Sequence, residues 1–179
     1  MRGLGMRRTL EMNIELRPLK DSEEETFIRE NQTAFDKAAV EEFGPQDKSV
    51  IDRKTIEECL HGKFSEAFRI MADGRAVGGV VVGIHPETQR NELDLLFINP
   101  ECHSRGIGQK VWRMIEEKYP ETEVWETHTP YFEKRNIHFY VNKCGFRIVE
   151  FYNPHHPEPH GPCDTPGGEY FFRFEKVMK

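Results

Sequence analysis

The chain has no apolar run that approaches the ~20 residues needed to cross a bilayer, and no apolar stretch follows its basic first residues. These absences predict a protein with neither a membrane anchor nor a secretory signal. Its four cysteines, Cys59, Cys102, Cys144 and Cys163, lack the paired spacing of a disulfide framework or a zinc site. They are typical of reduced intracellular thiols, so we expect a cytoplasmic protein that holds no metal.

The chain also has fewer positively charged residues than negatively charged ones. The sequence has 25 Lys and Arg residues against 31 Asp and Glu residues, which gives a net charge of −6. An acidic protein is poorly suited to a polyanion, so we expect no nucleic-acid partner. No repeat or linker divides the 179 residues. We therefore predict a single domain over residues 13–179, preceded by a disordered extension at residues 1–12.

Apolar periodicity predicts the elements that follow. The order β-α-α-β-β-β-α-β-α-β-β mixes hairpins with helical crossovers. It predicts an α/β (α+β) fold with one mixed, mostly antiparallel sheet of six or seven strands and helices on both faces. Strands are predicted at 13–18, 67–72, 76–84, 92–98, 124–127, 146–152 and 169–177, and helices from residue 21, at 50–60, from the glycines of 106–108 to 119, and at 136–143.

Residues 99–111 (NPECHSRGIGQKV) are the most informative segment. An apolar strand ends at Asn99, and a turn with Arg105 and two glycines leads into an amphipathic helix. Gly106 and Gly108 lack the Cβ that keeps a ligand away from the backbone, and N–H groups at a helix start attract anions. The segment predicts a site for a phosphate-bearing ligand, although glycines that only pack a strand–turn–helix give the same pattern.

A second segment, residues 136–146 (NIHFYVNKCGF), predicts a short helix that Gly145 ends. Tyr140 lies at helical core spacing within it, and a tyrosine can keep its ring in a core while its hydroxyl faces a wet cleft. Tyr140 is therefore both a core residue and a candidate catalytic residue. Asn136 either binds a ligand or caps its own helix.

Together these two segments resemble the signatures of the GNAT superfamily of acyl-CoA-dependent N-acyltransferases. Asn-Pro followed by Arg-Gly-Ile-Gly is similar to the family's pyrophosphate-binding motif, and residues 136–146 resemble its asparagine, Phe-Tyr, Gly-Phe signature. The predicted order of elements also matches. One residue departs from the family pattern, because His103 stands where the family has Gln or Arg, and this leaves the role of its side chain open.

The resemblance implies transfer of an acetyl group from acetyl-CoA to a primary amine of a small molecule or peptide. It implies that N–H groups of the glycine turn hold the CoA pyrophosphate. It also implies that a bulge at Phe97 and Ile98 frees an N–H for the thioester carbonyl, and that Tyr140 is the general acid for the thiolate. The cofactor-binding residues implied are Phe97, Ile98, His103, Ser104, Arg105, Gly106, Ile107, Gly108, Gln109, Lys110, Asn136 and Tyr140.

The acceptor amine must also lose a proton, because a lysine-like ammonium has a pKa of ~10.4. Glu92 and Asp94 lie two residues apart on a predicted strand, so their side chains share one face. Neighbouring carboxylates raise one another's pKa. Either is a candidate general base, with Glu92 slightly favoured; a water relay or a purely structural carboxylate remains the alternative.

By the same resemblance, residues 35–50 and the Pro- and His-rich loop 153–168 form the acceptor pocket. The loop histidines, with Cys163 and Asp164, either line that pocket or belong to a stiff, Pro-braced loop, and their spacing matches no standard zinc pattern. Exposed sheet edges permit a homodimer. The competing function is a non-catalytic acyl-CoA-binding sensor or scaffold. A nucleotide-binding loop is discounted, because Gly-Lys-Ser/Thr is missing and Val111 occupies the third glycine position of Gly-x-Gly-x-x-Gly.

Overall fold

The computed structural model describes residues 12–103, 105–159 and 167–178. Apart from Met12, the predicted N-terminal extension lies outside these ranges, and its disorder stays a prediction. Within them the strands are β1 (Ile14–Pro18), β2 (Ser65–Ala72), β3 (Arg75–Gly83), β4 (Arg90–Ile98), β5 (Val124–Pro130), β6 (Arg147–Tyr152) and β7 (Phe171–Val177), and the helices are α1 (Glu24–Phe43), α2 (Arg53–His61), α3 (Ile107–Lys118) and α4 (Lys134–His138).

The strands form one sheet in the order β1-β2-β3-β4-β5-β7-β6. Every neighbouring pair is antiparallel except β4–β5, which α3 joins by a crossover. Helices α1 and α2 cover one face, where Phe27 and Ile56 are fully buried, and α3 covers the other with Trp112 and Ile115. The prediction of a mixed, mostly antiparallel sheet with helices on both faces is confirmed.

Local sequence signals set several element ends. Asp73 and Gly74 have φ values of 47° and 79°, the left-handed pair that a two-residue hairpin between β2 and β3 requires. The Asp52 carboxylate accepts a hydrogen bond of 2.7 Å from the Thr55 N–H at the start of α2, a cap worth about 1 kcal/mol. Helix α1 ends at Gly44, whose φ is 79°.

Helix α3 packs with the stripe that its periodicity predicts. Ile107, Val111, Trp112 and Ile115 are buried along it, and the Trp112 ring meets that of Trp125 on β5 edge-on with centroids 5.2 Å apart. Burying a large apolar side chain stabilises the fold by about 1.5–3 kcal/mol. This stripe therefore fixes the first turn of α3 relative to the end of β4.

Strand β4 carries a bulge at Asp94. Val81 on β3 pairs with Leu95, but its neighbour Val82 pairs with Leu93, so one residue of β4 is left over. A bulge bends its strand and increases the local twist.

The bulge resets which side chains face which core. Leu93 and Leu96 pack in the core under α3, whereas Leu95 and Phe97 pack under α1 and α2. Strict alternation would place Leu93 and Leu95 on one face. The extra residue therefore delivers Phe97 to the ring of Phe27, with centroids 5.1 Å apart.

The predicted bulge at Phe97 and Ile98 is wrong in position. These residues pair regularly with Gly79 and Gly78 on β3. Gly78 permits this close pairing, because a Cβ there would lie 2.2 Å from the Phe97 carbonyl oxygen.

Strands β4 and β5 pair only briefly. Their contact runs from Arg90 to Glu92 on β4, and β5 then continues alongside β7 as far as Pro130. The two strands therefore separate beyond Glu92, and the open edge of β4 faces a cleft.

Candidate active site

The cleft between the separated strands encloses about 360 Å³. Helix α1, the end of β4, the turn after it, the first turn of α3 and the α4 segment form its walls. The structure brings most of the predicted cofactor residues to these walls: Phe97, Ile98, His103, Arg105, Gly106, Ile107, Gly108, Gln109, Asn136 and Tyr140. Ser104 lies outside the described residues.

Lys110 is the exception, because it does not line the cleft, and its cofactor role stays a prediction. Its N–H donates to the Gly106 carbonyl at 3.2 Å, and its ammonium donates to the Met12 carbonyl at 3.0 Å. One of the three ammonium N–H donors is engaged in this way. Lys110 lies one turn inside α3, where helical bonding has already begun.

The first turn of α3 opens into the cleft. Gly106 precedes the helix with a φ of 70°, a left-handed conformation that favours glycine. The first N–H groups of a helix lack an intrahelical acceptor, and in α3 these are the groups of Ile107, Gly108 and Gln109. Backbone donors at the positive end of a helix dipole can bind an anion.

Glycine is needed at two positions of this turn for different structural reasons. A Cβ on Gly106 would meet no atom within 4 Å, so only the backbone angle requires glycine there. A Cβ on Gly108 would lie 3.2 Å from the Phe139 ring, so this glycine permits close packing of α3 against the α4 segment. Glycine at position 108 is therefore required for packing, in addition to the predicted access of a ligand to the backbone.

His103 holds the end of β4. Its Nε2 lies 2.7 Å from the Ile98 carbonyl oxygen and therefore donates its proton there. Its Nδ1 is buried with no hydrogen-bond partner among the described residues. Burial lowers the pKa of the imidazole, which keeps the ring neutral with Nδ1 as an acceptor.

One of the two predicted carbonyl-binding positions has its N–H on the cleft side. Asn99 donates its N–H to Val77 on β3 at 2.8 Å. Peptide groups alternate between the two edges of a strand, so the N–H of Phe97 also points to β3 and that of Ile98 points to the cleft. The contact between His103 and the Ile98 carbonyl agrees with this assignment.

A π-helical segment, Phe139–Cys144, continues α4 without a break. The sequence predicts one regular helix over residues 136–143, and the wider turn is a correction to it. The segment ends at Gly145, whose φ is 82°, as predicted. Asn136 lies inside α4 rather than at its cap, so its side chain is left to line the cleft. Turns of this kind are frequent at functional sites.

Tyr140 is a core residue that also reaches the wall of the cleft, and its catalytic role stays a prediction. Its side chain is buried, and its ring contacts those of Phe139, Phe146 and Phe174 with centroids 5.5–5.7 Å apart. It also lines the cleft. Burial raises the pKa of its hydroxyl above the ordinary value, so the group stays protonated and able to donate.

Charge in the cleft is opposite in sign to that of the whole chain. Among the described lining residues, the cations are Lys37, Arg105, Arg135 and Lys143, and the acids are Glu41 and Glu133. The protein carries a net charge of −6. A local excess of cations attracts an anionic ligand to this position.

Comparison with known proteins identifies the family. The profile of the acetyltransferase (GNAT) family matches residues 23–146, which include α1, β4, α3 and the α4 segment. The chain belongs to the GNAT family. The family resemblance predicted from the sequence is therefore confirmed.

Among relatives of this GNAT protein, the uncharacterized protein YrkN of Bacillus subtilis strain 168 is 45% identical over 177 residues, covering 94% of this chain and 96% of that protein. The fold is similar to that of an acetyltransferase from Thermus thermophilus, with 15% identity, coverage of 93% and 97%, and a TM-score of 0.67. It is also similar to spermidine N-acetyltransferase from Vibrio cholerae in complex with CoA and spermine, with 14% identity, coverage of 92% and 95%, and a TM-score of 0.66.

The cleft also holds a carboxyl group that the sequence analysis missed. Glu133 stands at the start of α4 and is 4% exposed, but its side chain makes no cap hydrogen bond. Its Oε1 is buried without a partner among the described residues. Burial raises the pKa of Glu133 to about 7. No local pattern marks it, because a glutamate at a helix start is ordinary.

The predicted base candidates lie elsewhere. Glu92 and Asp94 do share a face, and burial together with the Glu92 charge raises the pKa of Asp94 to about 7. Their carboxyl groups line a second pocket beneath α2, with Cys59 and His85. Among the described residues none lines both pockets. The structure thus does not place either carboxylate in the cleft with Tyr140.

The loop after β6 is only partly described. His156 contacts the Glu150 carboxylate at 2.8 Å and stacks on Tyr152, so it supports β6, and neither it nor His155 lines the cleft. His160, Cys163 and Asp164 lie outside the described residues. At the far end of the loop, a Cβ on Gly167 would lie 3.1 Å from the ring of Phe43. The loop therefore returns to the C-terminus of α1.

The described part of the chain contains no group of three or more His, Cys, Asp or Glu side chains arranged to hold a metal ion. No helix in the same ranges is both long and apolar enough to span a membrane.

Proposed function

We propose that this GNAT protein transfers an acetyl group from acetyl-CoA to a primary amine of a small molecule or a peptide. The observation that carries the proposal is the first turn of α3, whose residues line a cleft with an excess of cations among its described lining residues. Backbone donors, the helix dipole and the Arg105 guanidinium together suit the CoA pyrophosphate.

The open edge of β4 supports a path for the rest of the cofactor. A pantetheine arm that leaves the α3 turn passes Asn136 on one side and the β4 edge on the other. The Ile98 N–H faces this path, so it is our candidate donor to the thioester oxygen. A donor fixed before the reaction stabilises charge that develops during attack.

Tyr140 supports the last step. After the amine nitrogen attacks the carbonyl carbon, the C–S bond breaks and the sulfur carries negative charge. A protonated phenol that lines the same cleft can donate to that sulfur. Because an ordinary thiol has a pKa of ~8.5, thiolate leaves readily, and the hydroxyl assists rather than enables the step.

The acceptor class is supported by neighbours in fold. Their names specify spermidine, ribosomal-protein-S18-alanine and nourseothricin acetyltransferases. We infer an amine acceptor, for which the family resemblance implies a pocket formed by residues 35–50 and the loop 153–168. The cytoplasmic location and the homodimer stay predictions from the sequence.

The test is thiol release from acetyl-CoA with spermidine, an Ala-initiated peptide, nourseothricin and ethylamine as acceptors. We expect release with at least one amine. We also expect Arg105→Ala to weaken CoA binding about tenfold by calorimetry, a loss of about 1.4 kcal/mol. Arg113→Ala is the matched control, since Arg113 is an exposed cation of α3 that does not line the cleft.

The competing function predicts a different pair of results. A sensor or scaffold would be stabilised by CoA and would release no thiol with any amine tested. Equal CoA binding by the Arg105 and Arg113 variants would remove the α3 turn from the cofactor site and with it the basis of the proposal.

A further inference from the structure

Glu133 stands at the start of α4, but its side chain is not used by the helix. Its backbone is fixed by two hydrogen bonds, from its own N–H to Pro130 at 3.1 Å and from the Ile137 N–H to its carbonyl at 3.0 Å. The side chain caps nothing and turns into the cleft, where Oε1 is buried and unpartnered among the described residues. A buried polar atom without a partner destabilises a fold, so this placement calls for a ligand that fills the cleft.

The charges around Glu133 do not hold it in an ion pair. No salt bridge or side-chain hydrogen bond to Glu133 is found in the described part of the chain. Its carboxyl group is close enough to Tyr140 for its charge to raise the pKa of that hydroxyl. The titratable and charged groups that share the cleft are Lys37 and Glu41 on α1, Cys102, His103 and Arg105 after β4, Arg135 on α4, and Tyr140 and Lys143 on the π-helical segment.

We propose that Glu133 is the general base that takes the proton from the acceptor ammonium; this assignment rests on the proposed acetyl transfer. The ammonium gives one proton to the Glu133 carboxylate, and the freed nitrogen lone pair attacks the thioester carbon. The C–S bond then breaks as Tyr140 donates its hydroxyl proton to the sulfur, and the second proton lost by the attacking nitrogen restores the Tyr140 hydroxyl. One proton in total passes from Glu133 to solvent.

Position favours Glu133 over the carboxyl groups predicted from sequence. Glu133 and Tyr140 line one cavity, whereas Glu92 and Asp94 line another. A base must reach the proton directly or through one water. Burial also raises the pKa of Glu133 to about 7, which suits a group that takes a proton and returns it near neutral pH.

The experiment compares the pH dependence of kcat/KM for two acceptors, ethylamine and 2,2,2-trifluoroethylamine. Ethylamine is protonated throughout the neutral range, so the wild-type rate should rise to about pH 7 and then level off as Glu133 ionises. In Glu133→Gln the rate at pH 7 should fall roughly 100-fold and should rise with pH without levelling. Trifluoroethylamine needs no base at neutral pH, so the two proteins should differ only a few-fold.

Two further variants and one binding measurement make the result specific. Glu133→Asp keeps a carboxylate and should keep the level region at a lower rate. Glu117→Gln, an exposed change on α3 away from the cleft, should match the wild type. CoA affinity by calorimetry should be the same in all of them, which separates loss of a base from loss of the cofactor site or of folding.

Several outcomes overturn the assignment. If the pH profile of Glu133→Gln still levels off, Glu133 is not the base. If in addition the level region disappears in Asp94→Asn, Asp94 is the base instead. Equal losses with both amines would indicate a binding role instead. Wild-type protein that binds CoA but acetylates no amine refutes the transfer reaction itself, and the base assignment falls with it.

Discussion

Replacing Glu133 with glutamine should stabilise the protein at alkaline pH and have little effect in acid. Burial raises the pKa of this carboxyl from 4.5 to about 7. The folded state therefore keeps a proton that the unfolded chain releases between these pH values, and the wild-type free energy of unfolding falls across that window. Each pKa unit corresponds to about 1.4 kcal/mol, so the full loss is about 3 kcal/mol above pH 7.

Glutamine has nearly the same shape and never ionises, so the variant lacks this loss. Urea unfolding from pH 4 to pH 8, followed by the fluorescence of the buried Trp112 and Trp125, measures the difference. The difference between the urea midpoints of variant and wild type should grow from near zero at pH 4 to about 1–2 M urea at pH 8. The pKa of Asp94 is also raised to about 7. Its ionisation lowers the stability of both proteins equally, so it does not affect the difference between them.

The result that refutes this reasoning is a difference between variant and wild type that does not change with pH. A variant that is less stable at pH 8 would refute it equally, since that would mean the carboxylate has a partner in the folded state. Glu117→Gln serves as the control, because an exposed glutamate should show no growing difference.

Substitutions at three other positions should have effects of the following sizes. Tyr140→Phe keeps the buried ring and should slow kcat by about 10–100-fold without abolishing transfer, because it removes only a donor to the sulfur. Gly106→Ala should cost about 1–2 kcal/mol in stability, because the φ of 70° is left-handed; Gly106→Asn should cost less, since asparagine tolerates that conformation. Asp52→Ala removes the α2 cap and should cost about 1 kcal/mol with kcat unchanged.

Each has a contradicting result. Unchanged kcat of Tyr140→Phe at saturating substrates would take the hydroxyl out of the mechanism. Equal denaturation midpoints for the alanine and asparagine variants of Gly106 would show that backbone strain does not decide that position. A fall in kcat for Asp52→Ala would show that the start of α2 shapes the reacting site.

Elements were predictable where neighbours in sequence decide them. The amphipathic helix after Gly106 and the helix end at Gly145 depend on local preferences, and both predictions were confirmed. The bulge at Asp94 and the π-helical turn at Tyr140 were missed. Each inserts one residue into a regular repeat, and the inserted residue is selected by packing against distant strands and helices.

In the candidate site, too, only the residues that belong to a local sequence pattern were predictable. The α3 turn was predicted because its donors, its glycines and Arg105 are adjacent in the chain. Glu92 and Asp94 were chosen as base candidates because two carboxylates on one strand also form a local pattern. Glu133 lies 39 residues after Asp94 by the numbering and carries no such pattern, so only the cavity distinguishes it.

The sequence by itself determined the order of the strands and helices in the described part of the chain and the glycine turn that precedes α3, because hydrogen-bonding periodicity and turn chemistry act over a few residues. Only the tertiary structure decided which carboxyl group shares a cavity with Tyr140. Strands β4 and β5 separate beyond Glu92. Glu92 and Asp94 then lie beneath α2, and Glu133 lies in the cleft with its Oε1 buried and without a partner among the described residues.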